Sequence, residues 1–321
     1  MTRLALILLV VIASAAEAQS ARKLPVVAVL STGSPAQSAP TVEAFRQGLR
    51  ELGYVEGQSI AIELRWAERP EHLPDLAAEI VKGKVDVIVT QGTPAAQAAR
   101  KATSTIPIVM ATSGDPVAIG LVASLAKPGG NVTGNSILGP DVIGKRLALV
   151  KELVPGLSRI AVLANPANPM HPFHVKEAEG AAKRIGVALQ SLEARGPEDF
   201  ERVLQAATAA RAGALVAFGD PVLTAHRAQL ASAAIKHRVP AVYELSGFAE
   251  AGGLATYGPS LPGMFRRAAV YVDKILKGAR PAELPIEQPS TFELVINLKT
   301  ARTLGLAIPH AVLVRADRVI D

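Results

Sequence analysis

Two aspartates, each preceded by glycine and followed by proline, are the residues on which binding chemistry could be built. Gly-Asp-Pro occurs at Gly114-Asp115-Pro116 and again at Gly219-Asp220-Pro221, both times directly after an apolar run. Asp before Pro combines a helix N-cap with a first-turn proline, and Thr93-Pro94 repeats the arrangement with threonine. A helix N-terminus presents N–H groups that can hold a carboxylate, and a facing carboxylate can hold an ammonium. Backbone amides and hydroxyls from one half of the chain, with Asp220 or Glu244 from the other, would suit an amino-acid-like zwitterion. The plainer reading, in which these aspartates only cap helices, stands beside it.

Other chemistries are not supported. The chain has no G-x-S-x-G elbow, no G-x-G-x-x-G after a first strand and no P-loop G-K-[ST]. It has no cysteine, which excludes disulfides, thiolate catalysis and thiolate metal sites. His171 and His174 flank Pro172 in a segment that reads as a loop with no acidic helix partner, so a metal site is not expected there. No catalytic residue, metal or cofactor is therefore assigned. Asn131-Val132-Thr133 matches a glycosylation sequon but reads as the first strand linking two halves of the chain. Trp66, the single tryptophan, is expected to pack on an edge strand.

The elements that would position these loops alternate between strand and helix. Apolar runs at 25–30, 59–66, 85–90 and 107–112 are separated by amphipathic stretches such as Thr41 to Leu52, where Val42, Phe45, Leu49 and Leu52 share a face. Strands apolar on both faces, alternating with helices, specify a parallel sheet covered on both sides. After Gly134 the pattern restarts, with a helix from Val142 to Leu153 and strands at 159–164, 187–192, 214–218 and 240–243. The tail adds strands at 254–257 and 292–298, a helix from Met264 to Leu276, and a last strand over Ala311 to Val314. That is too much to cap one domain, so the tail is expected to cross to the first lobe and return. The fold class is α/β: two doubly wound parallel-sheet lobes joined by three interlobe crossings, near 132–135, 255–257 and 286–288. Lobe 1 comprises 19–133 with 257–286, and lobe 2 comprises 134–256 with 287–321. In open parallel sheets ligands bind beyond the carboxyl ends of the strands, which here are the loops 31–34, 91–94, 113–116, 165–166, 219–221 and 244–246.

Composition places this fold outside the cytoplasm. Arg3, the apolar run from Leu4 to Ala13 and Ala16-Glu17-Ala18 form a signal peptide over residues 1–18. About ten apolar residues cannot cross a bilayer core that needs roughly 20, and without a cysteine no lipid anchor can be attached. A diffusing periplasmic monomer is expected. The net charge of +6 is scattered, with no basic block and no interleaved aromatics, so nucleic acid is not an expected partner.

The stretch GDPVAIGLVASLAKPGGNVTG (114–134) resembles a hallmark of the ABC-transporter substrate-binding proteins related to the tryptophan-binding type. Gly48 to Tyr54 (GLRELGY), Ala251 to Leu254 (AGGL) and Phe292 to Asn297 (FELVIN) are similar to that family as well. The resemblance spans the mature chain. It implies a type I periplasmic-binding-protein fold and capture of a small organic solute, of the class of an amino acid or related carboxylate, for a membrane permease. By analogy of loop position, the ligand contacts are Thr32, Gln91, Thr93 and Asp115 on the first lobe. Asn165, Asp220, Tyr243 and Glu244 face them, with Tyr257 near the hinge. An exported sensing module feeding a membrane receptor, or an exported α/β enzyme, are the alternatives. The mature protein is expected to begin at Gln19, which N-terminal sequencing of a periplasmic extract checks; an intact Met1 in the membrane fraction contradicts it.

Overall fold

A computed structural model describes residues 24–137 and 141–321; the signal segment expected at 1–18 lies outside the described residues. The first sheet follows from strict alternation along β1 (Val26–Thr32), where Val27 and Val29 face one core and Ala28 and Leu30 the other. Being apolar on both sides, β1 sits inside a parallel sheet. Its neighbours are β2 (Ala61–Ala67) at one edge, then β3 (Val87–Gln91), β4 (Ile108–Thr112) and β5 (Val132–Gly134), in the order β2-β1-β3-β4-β5. Trp66 accordingly lies on an edge strand. Helices α1 (Pro35–Glu51), α2 (Leu73–Lys82) and α3 (Thr93–Ala102) connect these strands.

The second lobe opens with α4 (Val142–Leu153), β6 (Arg159–Ala164), α5 (His171–Ile185), β7 (Ala188–Glu193), α6 (Phe200–Ala209) and β8 (Ala214–Ala217). It continues with α7 (Pro221–Ala225), α8 (Arg227–Lys236), β9 (Ala241–Tyr243), α9 (Gly247–Glu250) and β10 (Ala255–Gly258). The chain then runs through α10 (Leu261–Leu276), β11 (Glu293–Asn297), α11 (Leu298–Leu304), α12 (His310–Arg315) and β12 (Arg318–Ile320). The second sheet has the order β12-β11-β10-β9-β8-β6-β7 and is parallel except where β11 meets β10.

The tail returns to the first lobe as expected. Helix α10 packs beside α1, and the two approach closely at Gly48, where a Cβ would stand 2.7 Å from the Arg266 carbonyl. The GLRELGY segment anchors this return: Glu51 pairs with Arg266, and the Tyr54 hydroxyl donates to Asp273 Oδ1 at 3.1 Å. The first and third crossings hydrogen-bond to each other, Glu287 N to Gly134 O and Ser136 N to Glu287 O.

Several expectations are corrected. Val132–Gly134 is the far edge strand of the first sheet, with the crossing just after it. β10 pairs in the second sheet as far as Gly258, so the second crossing falls at 259–260 and not at 255–257. The run Ala311 to Val314 lies in α12, and the last strand is 318–320. A short apolar run does not reveal its own period, and only Val312 of that run is buried. His171 and His174 are in the first turn of α5, with both rings buried.

Candidate functional site

The carboxyl ends of the two sheets meet along a seam where lobe 1 supplies glycine and lobe 2 supplies a side chain. A Cβ on Gly92, just past β3, would come within 2.5 Å of the Pro221 ring. One on Gly114, just past β4, would come within 2.3 Å of Met170. A hydrogen bond also spans the seam, from Gln37 Nε2 to Ala225 O at 2.7 Å. Between these contacts the lobes enclose a cavity of about 40 Å³. That holds a few waters, whereas small-molecule pockets usually run to about 300 Å³ or more. The space in this arrangement is therefore smaller than an organic solute needs.

The lobe 1 wall is made of donors and hydroxyls. β4 shifts register against β3 between Thr90 and Gln91, and Gln91 Oε1 accepts from Ser31 Oγ at 2.8 Å. Gly92 N bonds both Thr112 O and Thr112 Oγ1. Thr93 opens α3, its Oγ1 accepts from Gly114 N at 3.0 Å, and it lies 3.4 Å from Ser113 Oγ. This wall joins an α-helix amino end to two hydroxyls, which suits an anionic group.

The lobe 2 wall centres on Asp220, 3 % exposed. Its Oδ1 accepts from Val222 N at 2.9 Å, Leu223 N at 3.1 Å and Asn165 Nδ2 at 3.2 Å. Among the described residues its Oδ2 accepts one hydrogen bond, from Asn168 Nδ2 at 2.9 Å, which leaves a lone pair open. Behind it Glu244 receives Gly219 N at 2.9 Å and pairs with Arg146 at 3.0 Å, the two side chains 2 % and 1 % exposed. Arg146 Nε also donates to Tyr257 O at 2.8 Å.

Two histidines complete this wall. Asn165 N donates to His171 Nδ1, which fixes the Nε2–H tautomer and directs it to Gly219 O. Burial holds the His171 pKa below its ordinary value against the pull of Asp220 and Glu244. The His174 ring packs edge-on against Phe218 at 5.4 Å, and burial lowers its pKa to about 3. Among the described residues no three His, Cys, Asp or Glu side chains converge as a metal would require.

The profile of the family described as "ABC transporter substrate binding protein" matches residues 25–320. The chain belongs to that family. It is 29 % identical over 269 residues to a tyrosine-binding protein of Clostridioides difficile (strain R20291), covering 82 % of this chain and 76 % of that one. Among solved structures, a conserved domain protein from Vibrio cholerae superposes with a TM-score of 0.87 at 31 % identity, covering 92 % of this chain and all of that one. An ABC domain in complex with L-Trp from Streptococcus pneumonia gives 0.86 at 27 % identity, covering 93 % and 100 %. The fold is that of the type I periplasmic binding proteins.

In this substrate-binding protein Gln91, Thr93 and Asp220 stand on the cavity wall. The other expected contacts do not. Thr32 is buried at the end of β1, and Asp115 caps a turn through Val117 N and Ala118 N. Asn165 and Glu244 form a layer behind the wall. Tyr243 lies in the core behind its sheet, stacked on Phe248 at 4.4 Å. Tyr257 stacks on Phe292 over a groove shared with Lys145 and Arg315, away from the cavity. Sequence reasoning did not assign Asn168, Met170, His174 or Arg146. A signal existed for two of them: Arg146 occupies the apolar stripe Val142, Arg146, Leu149, Leu153, and His174 the buried stripe of α5.

Four hydrogen bonds give Asp220, on the cavity wall, a structural load. Asp220→Ala removes a cap and strands two buried amides, so urea unfolding should show a loss of roughly 2–4 kcal/mol. A variant as stable as the parent contradicts that load. The histidines set an acid limit. His174 stays neutral in the fold down to about pH 3, while the unfolded chain takes up its proton near 6.5. Stability therefore falls as pH drops below about 6.5, by about 2 kcal/mol at pH 5 from His174 alone, and His171 adds in the same direction. Unfolding curves at pH 7 and pH 5 measure it.

Proposed function

We propose that this protein captures a small zwitterionic solute of amino-acid type between its lobes and passes it to the membrane permease of an ABC uptake transporter. The observation that carries the reading is the pairing of walls: the amino end of α3 with Thr93 and Ser113 on one lobe, and Asp220 with a free lone pair on the other. A carboxylate on the first wall and an ammonium on the second would bridge the lobes through groups every amino acid carries. The relatives named for tyrosine and crystallised with L-Trp support the class. The protein acts in the periplasm after removal of residues 1–18, as a monomer, by binding and release without covalent chemistry.

Closure is favoured because the ligand touches both lobes, so affinity arises from the difference between open and closed states. The lobes, meeting near residues 134, 258 and 287, move as rigid bodies. Three strands of chain at the hinge permit bending but restrict twisting. A panel of L-amino acids in a thermal-shift assay should reveal a ligand, since saturation at 100 times Kd stabilises by about 2.7 kcal/mol. With that ligand the scattering radius of gyration should fall while far-UV circular dichroism stays constant. No stabilisation by any member sinks the reading; a constant radius at saturation sinks the closure mechanism.

A further inference from the structure

His174 is a buried polar side chain with nothing to bond. It is 4 % exposed, and neither Nδ1 nor Nε2 has a hydrogen-bond partner among the described residues. Its neighbour His171 has both ring nitrogens engaged, by Asn165 N and Gly219 O, so the difference is specific to position 174. The ring is clamped between His171, at 5.6 Å, and Phe218, at 5.4 Å, and it lines the interlobe cavity. Leaving a buried polar group unpaired is costly, and a phenylalanine would fill this aromatic niche without that cost. A neutral imidazole offers one donor and one acceptor, and here neither has a partner among the described residues, on a ring that lines the interlobe cavity.

The walls already described account for the carboxylate and ammonium of an amino acid, but not for its side chain. Around the cavity, Ile137, Met170, Leu245 and Leu261 supply apolar contact, and His174 supplies an unmet polar group that does not belong to the Asp220 network. We infer that His174 is a specificity-determining residue: it selects a ligand whose side chain carries a hydrogen-bonding group, such as a hydroxyl or ring N–H, over the apolar isostere. This rests on the amino-acid reading above. A site built around an unpaired polar group rejects the analogue lacking the partner strongly, because that ligand leaves the group buried and unmet.

The test uses matched pairs, L-tyrosine with L-phenylalanine and L-threonine with L-valine, titrated calorimetrically into the mature protein, His174→Phe and His174→Gln. The parent should prefer the polar member of the pair it binds by at least tenfold, about 1.4 kcal/mol. His174→Phe should reduce that ratio below about threefold through weaker binding of the polar member, with a melting temperature equal to or above the parent's. His174→Gln, which restores a donor and an acceptor, should recover the preference. If His174→Phe unfolds, His174 is a packing residue that the fold requires, and the inference fails. It also fails if the parent shows no preference, or if His174→Phe keeps it. Binding without preference overturns the role of His174 alone, whereas no binding by any L-amino acid overturns the amino-acid reading and this inference with it.

Discussion

The carboxyl end of the second lobe is organised by one buried ion pair, Arg146 with Glu244. The guanidinium reaches from α4 to the backbone of β10 at Tyr257 and to the carboxylate following β9. That carboxylate in turn holds Gly219 N, just after β8. A helix and three consecutive strand ends are thereby fixed to one another beneath the cavity. The neighbouring glycines follow from it: a Cβ on Gly219 would stand 2.5 Å from the Glu244 carboxylate, and one on Gly258 only 1.9 Å from the Glu244 carbonyl. Removing one partner would leave an unpaired buried charge, worth about 3–5 kcal/mol. Replacing both by apolar groups could spare stability, but it would release the loops that carry Asp220.

Contact across the seam depends on shape more than on bonding. Gly92 and Gly114 on the first lobe admit Pro221 and Met170 from the second with no room for a Cβ, while a hydrogen bond from Gln37 to Ala225 runs alongside. A ligand that bridged the lobes, as proposed, would then decide the balance between open and closed states. The tail completes the frame, because α10 is held on the first lobe by Gly48, Glu51 and Tyr54 before the chain returns to the second sheet.

The sequence by itself determined the strands apart from the last, the parallel sheets and the two-lobed architecture. Val27, Val29 and Ala28, Leu30 lie on opposite faces of one strand, and only a covered sheet buries both. It also located the loops at the strand ends, because that geometry follows from parallel connectivity. Motifs that resemble the family proved to be largely framework: GLRELGY anchors α10, and Asn297 of FELVIN caps α11 through Thr300 N. What only the tertiary structure decided is which loop residues face the cavity. Side chains alternate along a strand, so a shift of one position sends Tyr243 into the core and Glu244 toward the site. Arg146 and His174 are brought there from helices by packing between elements distant in sequence. Their polar groups meet these surroundings only once the chain has folded around them.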